Sequence, residues 1–357
     1  MATPEHEVDV VVIGAGQAGL AAGYFLRRVA RREDLDFVVL DAGASPGGSW
    51  THYWDSLRLF SPAEHSMLPG WWMPPEEGHE YPSARHVARY LAEYERRYDL
   101  PVRRPVRVGR VERSGERLAV VSEQGTWRAR RVISATGSWS APYVPALPGR
   151  ELFEGEQAHT VDYRNPDRFA GLRVAVVGGG NSAAQILAEL SLVAETTWIA
   201  SRPPRLLPDD VDGRELFSIA TRRQRAAEEG RRVEGVEDLG DVVAVPSVRE
   251  ARDRGVLEAE PMFERFTPTG LLWADGTERR FDAVLWCTGF RPSLEHLAPL
   301  GVLDADGRVA VEGTRSVLEP RLHLLGYGDW TGAASATIIG AGRTAKGAVA
   351  EATDPLV

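Results

Sequence analysis

Two glycine-rich segments have the residue types and spacing that bind the phosphates of a dinucleotide. The first, Gly14–Gly19, has the pattern GxGxxG and follows the apolar run Val10–Ile13. The second, Gly178–Ala183, has the sequence GGGNSA and follows Val174–Val177. A backbone without side chains can approach a pyrophosphate closely, and a helix N-terminus offers free N–H groups. The chain therefore predicts two dinucleotide sites, with electrons passing from one nucleotide to the other.

The residues after the first glycine segment strengthen its interpretation. The apolar run Phe37–Leu40 predicts the next parallel strand and ends in Asp41. An acid about 20 residues past such a loop can accept hydrogen bonds from both ribose hydroxyls of an adenosine. A lone glycine pattern is weak, because glycine-rich turns also close ordinary strand–helix units. The strand, the glycines, the helix and the acid together favour the dinucleotide.

The residues after the second glycine segment differ in charge. The next predicted strand, Thr196–Ala200, ends in Ser201 and Arg202 instead of an acid. A carboxylate there would repel a 2′-phosphate, whereas an arginine can pair with it in a fork. Arg202 therefore predicts NADPH over NADH, with Arg205 as a second candidate. The alternative is that Arg202 is an ordinary solvated arginine.

Composition and length exclude several other classes of protein. The chain has 357 residues, more than one hydrophobic core usually serves, which favours two domains. Its net charge of −9 gives no basic surface for nucleic acid. No apolar run approaches the roughly 18 residues of a membrane span, and the polar N-terminus is not that of a signal peptide. The single cysteine, Cys287, excludes an internal disulfide, which suits the cytoplasm and argues against a disulfide reductase.

The order of the predicted elements is nested. Residues 165–280 carry the second glycine segment, as if one nucleotide domain were inserted into another. The similar strand exits Val132–Gly137 and Val284–Gly289 favour two crossings between the domains, although each also fits a strand that ends in a glycine turn. The expected fold class is α/β, with two Rossmann-like dinucleotide-binding domains.

A long irregular segment, residues 45–82, follows the first strand–helix–strand unit. It contains Trp50, Trp54, Trp71 and Trp72, too many aromatic residues for a disordered segment. We expect residues 49–72 to shape a pocket, although packing in a core or an interface would explain the same tryptophans. Helices are predicted from Ser83 to about Tyr98 and over 334–351, and the arginine-rich run 222–232 predicts a solvated helix face.

Several short motifs resemble those of the bacterial flavin-containing monooxygenases, and the resemblance covers essentially the whole chain. The most specific is Phe153–Arg164, which resembles the FxGxxxHxxx(Y/F)(K/R) signature. The others are Gly14–Gly19, resembling the FAD fingerprint, Gly47–Trp50, resembling a GG-x-W element, Cys287–Phe290 and Gly328–Asp329. Residues 54–62 and 326–339 look most like the branch associated with arsenic resistance.

The resemblance implies which residues hold each cofactor. Residues 1–160 and 285–357 would form a discontinuous FAD-binding domain, and residues 165–280 an NADPH-binding domain inserted into it. The implied FAD contacts are Gly14, Gly16, Gln17, Ala18, Gly19, Asp41, Gly48, Ser49, Trp50, Val108, Ala135, Thr136, Gly137 and Asp329. The implied NADPH contacts are Gly178, Gly180, Asn181, Ser182, Ala183, Ser201 and Arg202. No catalytic side chain and no metal ligand is assigned.

The resemblance also implies a reaction. NADPH would reduce FAD, and a C4a-(hydro)peroxyflavin would transfer one oxygen atom to a soft nucleophile: sulfur, nitrogen or trivalent arsenic. The partners would then be a small-molecule substrate and oxygen, with no nucleic acid and no membrane; a homodimer stays open. Members of the family commonly place an asparagine beside the flavin, where this chain has Phe60 or Ser61.

Because the family's asparagine is missing at that position, two other functions stay open. One is an NADPH-dependent flavin reductase or oxidase that passes electrons to a quinone, a carrier or oxygen. The other is a redox sensor that binds flavin and NADPH without catalysis.

Overall fold

The computed structural model describes residues 4–229 and 240–354. The chain divides into two compact units. The first unit comprises Met1–Thr51, Ser61–Ala141 and Arg291–Val357, and the second comprises His52–Phe60 and Pro142–Phe290. The predicted helix face 222–232 lies partly outside the described residues. No helix within the described residues is both long and apolar enough to cross a membrane.

Strands and helices alternate along much of the described chain. The helices are α1 (Gln17–Ala30), α2 (Ala84–Arg97), α3 (Asn181–Leu190), α4 (Gly213–Glu228), α5 (Pro246–Asp253) and α6 (Ile338–Thr353). The strands are β1 (Glu5–Ile13), β2 (Phe37–Leu40), β3 (Val102–Arg103), β4 (Val108–Ser114), β5 (Arg117–Ser122), β6 (Thr126–Ser134), β7 (Glu156–His159), β8 (Arg173–Val177), β9 (Glu195–Ala200), β10 (Ala259–Pro261), β11 (Arg265–Thr267), β12 (Gly270–Leu272), β13 (Glu278–Arg280), β14 (Ala283–Trp286), β15 (Val311–Glu312), β16 (Arg315–Ser316) and β17 (Leu322–Leu324).

The first unit is built around a mixed sheet with β1 at its centre. β1 pairs in parallel with β2 on one side and with β6 on the other, and β17 continues the parallel arrangement beside β6. β4 and β5 form an antiparallel hairpin that turns after Ser114, and β5 pairs with the first half of β6. Val10–Ile13 of β1 and Phe37–Leu40 of β2 are buried at every position. Their continuous apolar sequence is typical of strands that are covered on both faces.

The second unit contains a parallel sheet of five strands in the order β10-β9-β8-β14-β7. A small antiparallel sheet, β11-β12-β13, belongs to the same unit. Buried side chains of β8, α3 and β14 form its core, together with Trp54, which the chain contributes from far upstream. The observed α/β architecture with parallel sheets confirms the predicted fold class.

One helix boundary differs from the predicted one. The C-terminal helix was predicted from residue 334, but α6 begins at Ile338, because Ala334 has a φ of +58° and Thr337 caps the helix through its hydroxyl. The longer stretch of the second compact unit runs from Pro142 to Phe290. It includes β7, which pairs with β14 in the parallel sheet of that unit. The NADPH-binding domain over residues 165–280 stays a prediction.

Two candidate dinucleotide sites

The first glycine segment, Gly14–Gly19, lies at the carboxyl end of β1, which pairs with β2 on one side and with β6 on the other. Gly14 has a φ of +102°, and a Cβ atom there would lie 2.5 Å from the carbonyl oxygen of Ala135. A Cβ atom on Gly19 would lie 1.8 Å from the Gly14 oxygen, whereas one on Gly16 would meet nothing within 4 Å. Gly14 and Gly19 are therefore needed for backbone packing, and Gly16 leaves open space of the kind that a pyrophosphate fills.

Helix α1 begins beside that open space. Its N-cap, Gly16, provides no side-chain hydrogen bond, so the N–H groups of the first turn are left for a ligand. Gln17 donates from Nε2 to the Ala336 oxygen (2.5 Å) and accepts at Oε1 from Trp50 Nε1 (3.0 Å). Ala18 faces Gly326, where a Cβ atom would come within 2.8 Å of it. The helix N-terminus thus gathers three segments that are far apart in the sequence.

The GG-x-W element forms a short 3₁₀ helix, Gly48–Thr51, in the same place. Gly48 has a φ of +56°, and a Cβ atom on it would lie 3.0 Å from Gly16 Cα. Ser49 and Trp50 follow on this turn, and both are half-buried. The close backbone approach explains why glycine stands at position 48.

Asp41 follows β2 directly and is only 9% exposed. Its Oδ2 atom accepts a hydrogen bond from Arg104 Nε (3.1 Å), and Arg104 also forks onto both oxygens of Glu95 at 2.7 and 2.8 Å. Burial opposes the charge of Arg104, but the hydrogen bonds with Glu95 and Asp41 raise its pKa. Asp41 Oδ1 has no partner among the described residues, so it can accept from a ribose hydroxyl. Sequence reasoning missed Arg104 and Glu95, because nothing in their spacing connects them to Asp41.

The segment after β6 is fixed by a tyrosine that sequence reasoning did not select. The hydroxyl of Tyr327 accepts from Thr136 N (3.1 Å) and lies 2.8 Å from Thr136 Oγ1 and 3.0 Å from Ser134 Oγ. Burial raises the pKa of this hydroxyl, so it stays protonated. Gly137, with a φ of +64°, accepts at its oxygen from Ser293 N (2.9 Å). Ala135 itself donates from its backbone to the Ile13 oxygen of β1 (2.8 Å).

The implied FAD contacts also include Asp329 and Val108. Asp329 is exposed on a 3₁₀ turn, and its Oδ1 atom accepts from Ala334 N (3.2 Å). Val108 begins β4 and packs against the core of the first sheet. Val106, two residues earlier, donates its N–H to the Asp41 oxygen (2.7 Å). This hydrogen bond brings the start of the β4 segment beside Asp41.

The second glycine segment repeats the same geometry at the carboxyl end of β8. Gly178 has a φ of +142°, and a Cβ atom there would lie 2.2 Å from the Cys287 oxygen. Gly180 is the N-cap of α3, forms no side-chain cap and is open to at least 4 Å. Ala183 is fully buried in the helix, so its methyl group fits where the fingerprint often has a third glycine. This segment can also receive a pyrophosphate.

The polar residues at the start of α3 have different surroundings. Asn181 uses its Oδ1 atom to accept from Val243 N (2.8 Å), so its amide ties a later segment to the helix N-terminus. Ser182 is half-buried on the first turn. Ser182 therefore has the more available polar side chain of the two.

Arg202, which the sequence predicts to favour NADPH, is paired with an acidic side chain in this structure. Ser201 and Arg202 do follow β9, and both are exposed. The guanidinium of Arg202, however, forks onto both carboxylate oxygens of Asp241, at 2.9 and 2.5 Å. Asp241 lies 39 residues further along the chain, so no local pattern could have revealed this partner.

The signature Phe153–Arg164 lies within the second unit, where it fastens other segments. His159 contacts the Gly289 oxygen through Nε2 (3.1 Å) and accepts at Nδ1 from Val161 N (3.3 Å). Burial lowers the pKa of His159, so the ring is neutral and the Nε2 atom carries the proton. Tyr163 is fully buried and donates its hydroxyl to Glu189 Oε1 (2.6 Å). His159 and Tyr163 therefore hold neighbouring segments in position.

The single cysteine lies in the core of the second unit. Cys287 is buried, and burial raises the pKa of its thiol to about 12. A thiol of this kind is not a nucleophile at neutral pH. The chain therefore cannot run a dithiol–disulfide cycle.

Comparisons with known proteins agree with this geometry. The model of the pyridine nucleotide-disulphide oxidoreductase family matches residues 11–215. A solved flavin-containing monooxygenase from Stenotrophomonas maltophilia is 54% identical, covers 98% of each chain and has a TM-score of 0.88. An uncharacterised CzcO-like oxidoreductase of Geobacillus kaustophilus is 29% identical over 85% of this chain and 86% of its own. A rice indole-3-pyruvate monooxygenase, YUCCA8, is 27% identical over 80% of this chain and 76% of its own.

The chain belongs to the pyridine nucleotide-disulphide oxidoreductase family. Within it, the chain groups with the bacterial flavin-containing monooxygenases, an enzyme class that uses FAD and NADPH. The sequence has one cysteine and therefore no cysteine pair within the chain. The resemblance to bacterial flavin monooxygenases that the sequence motifs indicated is confirmed, whereas the branch associated with arsenic resistance stays a prediction.

Proposed function

We propose that this protein is an NADPH-dependent FAD monooxygenase that transfers one oxygen atom of O₂ to a soft nucleophile. Sulfur and nitrogen centres are the expected targets, and trivalent arsenic is a further one. The observation that carries the proposal is the convergence, at the N-terminus of α1, of four distant segments: 14–19, 48–50, 135–137 and 326–336. A second glycine segment of the same geometry starts α3. The similarity to a solved flavin-containing monooxygenase supports the same class of reaction.

The residues of the first unit would bind and orient FAD. The open space at Gly16 and the N–H groups of α1 would hold the pyrophosphate, and Asp41 Oδ1 would accept from the ribose. Thr136 and Gly137, held by Tyr327 and Ser293, would fix the backbone beside the ring. Bound FAD would supply the redox chemistry, accepting hydride and activating oxygen.

The residues of the second unit would bind NADPH. The N-terminus of α3 at Gly180 would hold the pyrophosphate, and Arg202 would lie near the adenosine ribose. This assignment also gives the domain division: FAD would bind to the first unit and NADPH to the second. The neutral His159 would keep the Gly289 turn in place and would not exchange a proton with substrate.

A second function is favoured by one observation. The chain has two asparagines, Asn165 and Asn181, and both belong to the second unit. Each is engaged there, Asn181 with Val243 N and Asn165 with Asp55. No asparagine is therefore present among the segments that converge in the first unit. An oxidase or reductase, which returns electrons to oxygen or to a carrier, would not need that amide.

The amounts of sulfoxide and hydrogen peroxide formed per NADPH consumed distinguish the monooxygenase from the oxidase. Purified protein loaded with FAD is given NADPH, air-saturated buffer and methyl phenyl sulfide, and NADPH loss, sulfoxide and hydrogen peroxide are measured together. A monooxygenase forms sulfoxide in proportion to NADPH, with less peroxide than in the control reaction without sulfide. NADPH oxidation with equal peroxide in both reactions, and no sulfoxide, would contradict the monooxygenase and favour the oxidase.

A further inference from the structure

The pairing of Arg202 with Asp241 changes what this arginine can do for a nucleotide. The two side chains meet in a bidentate fork, with Nη1 2.9 Å from Oδ2 and Nη2 2.5 Å from Oδ1. A 2′-phosphate binds arginine through a fork of the same kind. Phosphate and carboxylate can therefore compete for the Nη1–Nη2 fork, which Asp241 occupies in this structure. The side chain of Arg202 is 64% exposed, so a ligand can reach it.

Asp241 is held more firmly than its partner. Its carboxylate is only 13% exposed, and its Oδ2 atom also accepts from Arg205 N (2.9 Å). Its own backbone N–H donates to the Arg205 oxygen (2.7 Å). The hydrogen bond from Arg202 lowers the pKa of Asp241, so the carboxylate is charged at neutral pH. To bind Arg202 through this fork, a 2′-phosphate would therefore have to displace the fixed, charged carboxylate of Asp241.

The pair lies beside the nucleotide-binding glycine segment of the second unit. Val243, two residues after Asp241, donates its N–H to Asn181 Oδ1 at the start of α3 (2.8 Å). Arg202 follows β9, the strand that pairs with β8. In dinucleotide-binding units the end of this second strand meets the adenosine ribose. The charges of Arg202 and Asp241 therefore lie where a dinucleotide-binding unit distinguishes a 2′-hydroxyl from a 2′-phosphate.

We propose that Asp241 determines nucleotide selectivity, because it occupies Arg202 and places a negative charge where the 2′-phosphate would bind. This inference rests on the proposed function, since it assumes that the second unit binds NAD(P)H. A carboxylate at the ribose favours NADH, and an arginine favours NADPH. The two side chains oppose each other, so Arg202 gives a weaker preference for NADPH than it would alone. Asp241 acts here as a positioning and specificity residue.

The test is Asp241→Asn, which removes the charge and keeps the shape. The ratio of kcat/KM for NADPH to kcat/KM for NADH should rise about tenfold, the order expected for a released charge-assisted contact. Arg202→Ala should lower the same ratio, and adding it to Asp241→Asn should abolish the gain. A ratio that Asp241→Asn leaves unchanged would overturn the proposal.

The matched control is Asp282→Asn in the same unit. Asp282 forks onto Arg173 and accepts from a backbone N–H, as Asp241 does, but it lies at the amino end of β14. It should lower stability without changing the selectivity ratio. If Asp241→Asn behaves in the same way, with equal loss for both nucleotides, its role is structural and the proposal fails.

A binding measurement separates this inference from the proposed function. Calorimetry with 2′,5′-ADP and 5′-AMP needs no flavin chemistry. Asp241→Asn should bind 2′,5′-ADP about tenfold more tightly and 5′-AMP unchanged. That result stands even if neither NADPH nor NADH reduces the flavin, which would contradict only the proposed function. Unchanged affinity for 2′,5′-ADP beside active NADPH oxidation would contradict only the inference.

Discussion

Asp41 shows how one residue can be recognised from sequence while its surroundings cannot. Its place after β2 predicts a ribose-binding acid, and the structure does put it, buried, at the carboxyl end of that strand. Its contact with Arg104 was not predictable, because 63 residues separate the two. Arg104 keeps its other hydrogen bonds with Glu95, so Asp41 is not its sole counter-charge. Asp41 can therefore be changed without leaving a buried charge alone.

The first residue-scale prediction follows from that arrangement. Asp41→Asn should weaken FAD binding about tenfold, because a charge-assisted hydrogen bond to the ribose, worth about 1.5–3 kcal/mol, becomes a neutral one. The fold should persist, since Glu95 still pairs with Arg104. Titration of the apo-protein with FAD, followed by the quenching of flavin fluorescence, measures the change.

Asp9→Asn is the matched control for this variant. Asp9 lies in β1 of the same unit and accepts from Asp36 N (3.0 Å), before β2 begins. It is thus at the opposite edge of the sheet from the glycine segment. FAD affinity that falls equally in both variants would show a general loss of structure instead of a lost ribose contact.

At the scale of elements, the irregular segment after the GG-x-W element is divided between the two units. Residues 52–60, which we call the strap, belong to the second unit. Ser56 Oγ donates to Glu189 Oε2 (2.6 Å), and Asp55 N donates to the Arg164 oxygen (2.8 Å). Burial raises the pKa of Glu189, and the hydroxyls of Ser56 and Tyr163 oppose that shift. The last two signature residues, Tyr163 and Arg164, thus help to fasten the strap.

The tryptophans of this segment have separate roles. Trp54 is 3% exposed and lies in the core of the second unit, whereas Trp71 stacks near Tyr90 of α2 in the first, with ring centroids 5.0 Å apart. Trp72 is 64% exposed. Trp54 therefore packs in a core, as the alternative explanation of these tryptophans expects, and a pocket shaped by residues 49–72 stays a prediction.

Trp54→Ala should accordingly act on stability. Removing a buried tryptophan leaves a cavity that costs about 3–5 kcal/mol, so the Tm should fall by several degrees. Thermal unfolding followed by circular dichroism measures it, with the exposed Trp72→Ala as the control that should leave Tm nearly unchanged. An unaltered Tm for Trp54→Ala, combined with more peroxide released per NADPH, would return Trp54 to the pocket.

At the scale of the whole molecule, sequence patterns predicted the elements that depend on interactions between neighbouring residues. The strand–glycine–helix units and the Ser83 cap of α2 depend on neighbouring residues, so the spacing of those residues in the sequence predicts them. The strap, the Arg202–Asp241 fork and the Tyr327 contacts depend on pairs more than 35 residues apart. Single-sequence patterns carry no signal for such pairs, because the partners are ordinary polar residues until the fold brings them together.

The last prediction concerns the stability of the first unit in acid. His296 is buried, and burial lowers its pKa from 6.5 to about 4. His323 has the same shift, from burial and from the charges of Arg131 and Arg315. As the pH falls below 6.5, the two histidines therefore bind protons in the unfolded chain but stay neutral in the folded chain. Both histidines thus favour folding above pH 6.5. That contribution is lost as the pH falls toward 4, by about 3 kcal/mol for each histidine.

Replacing His296 should flatten this dependence. His296→Gln keeps a polar group beside Ser134, whose Oγ atom lies 3.2 Å from Nε2, and removes the titration. Its free energy of unfolding, from guanidinium titrations between pH 7 and 4.5, should fall less steeply than that of the unchanged protein. The exposed His79, replaced in the same way, should leave the slope as it was. Parallel curves for all three proteins would mean that acid lability arises from the carboxylate–arginine pairs, because protonating their carboxylates also destabilises the fold.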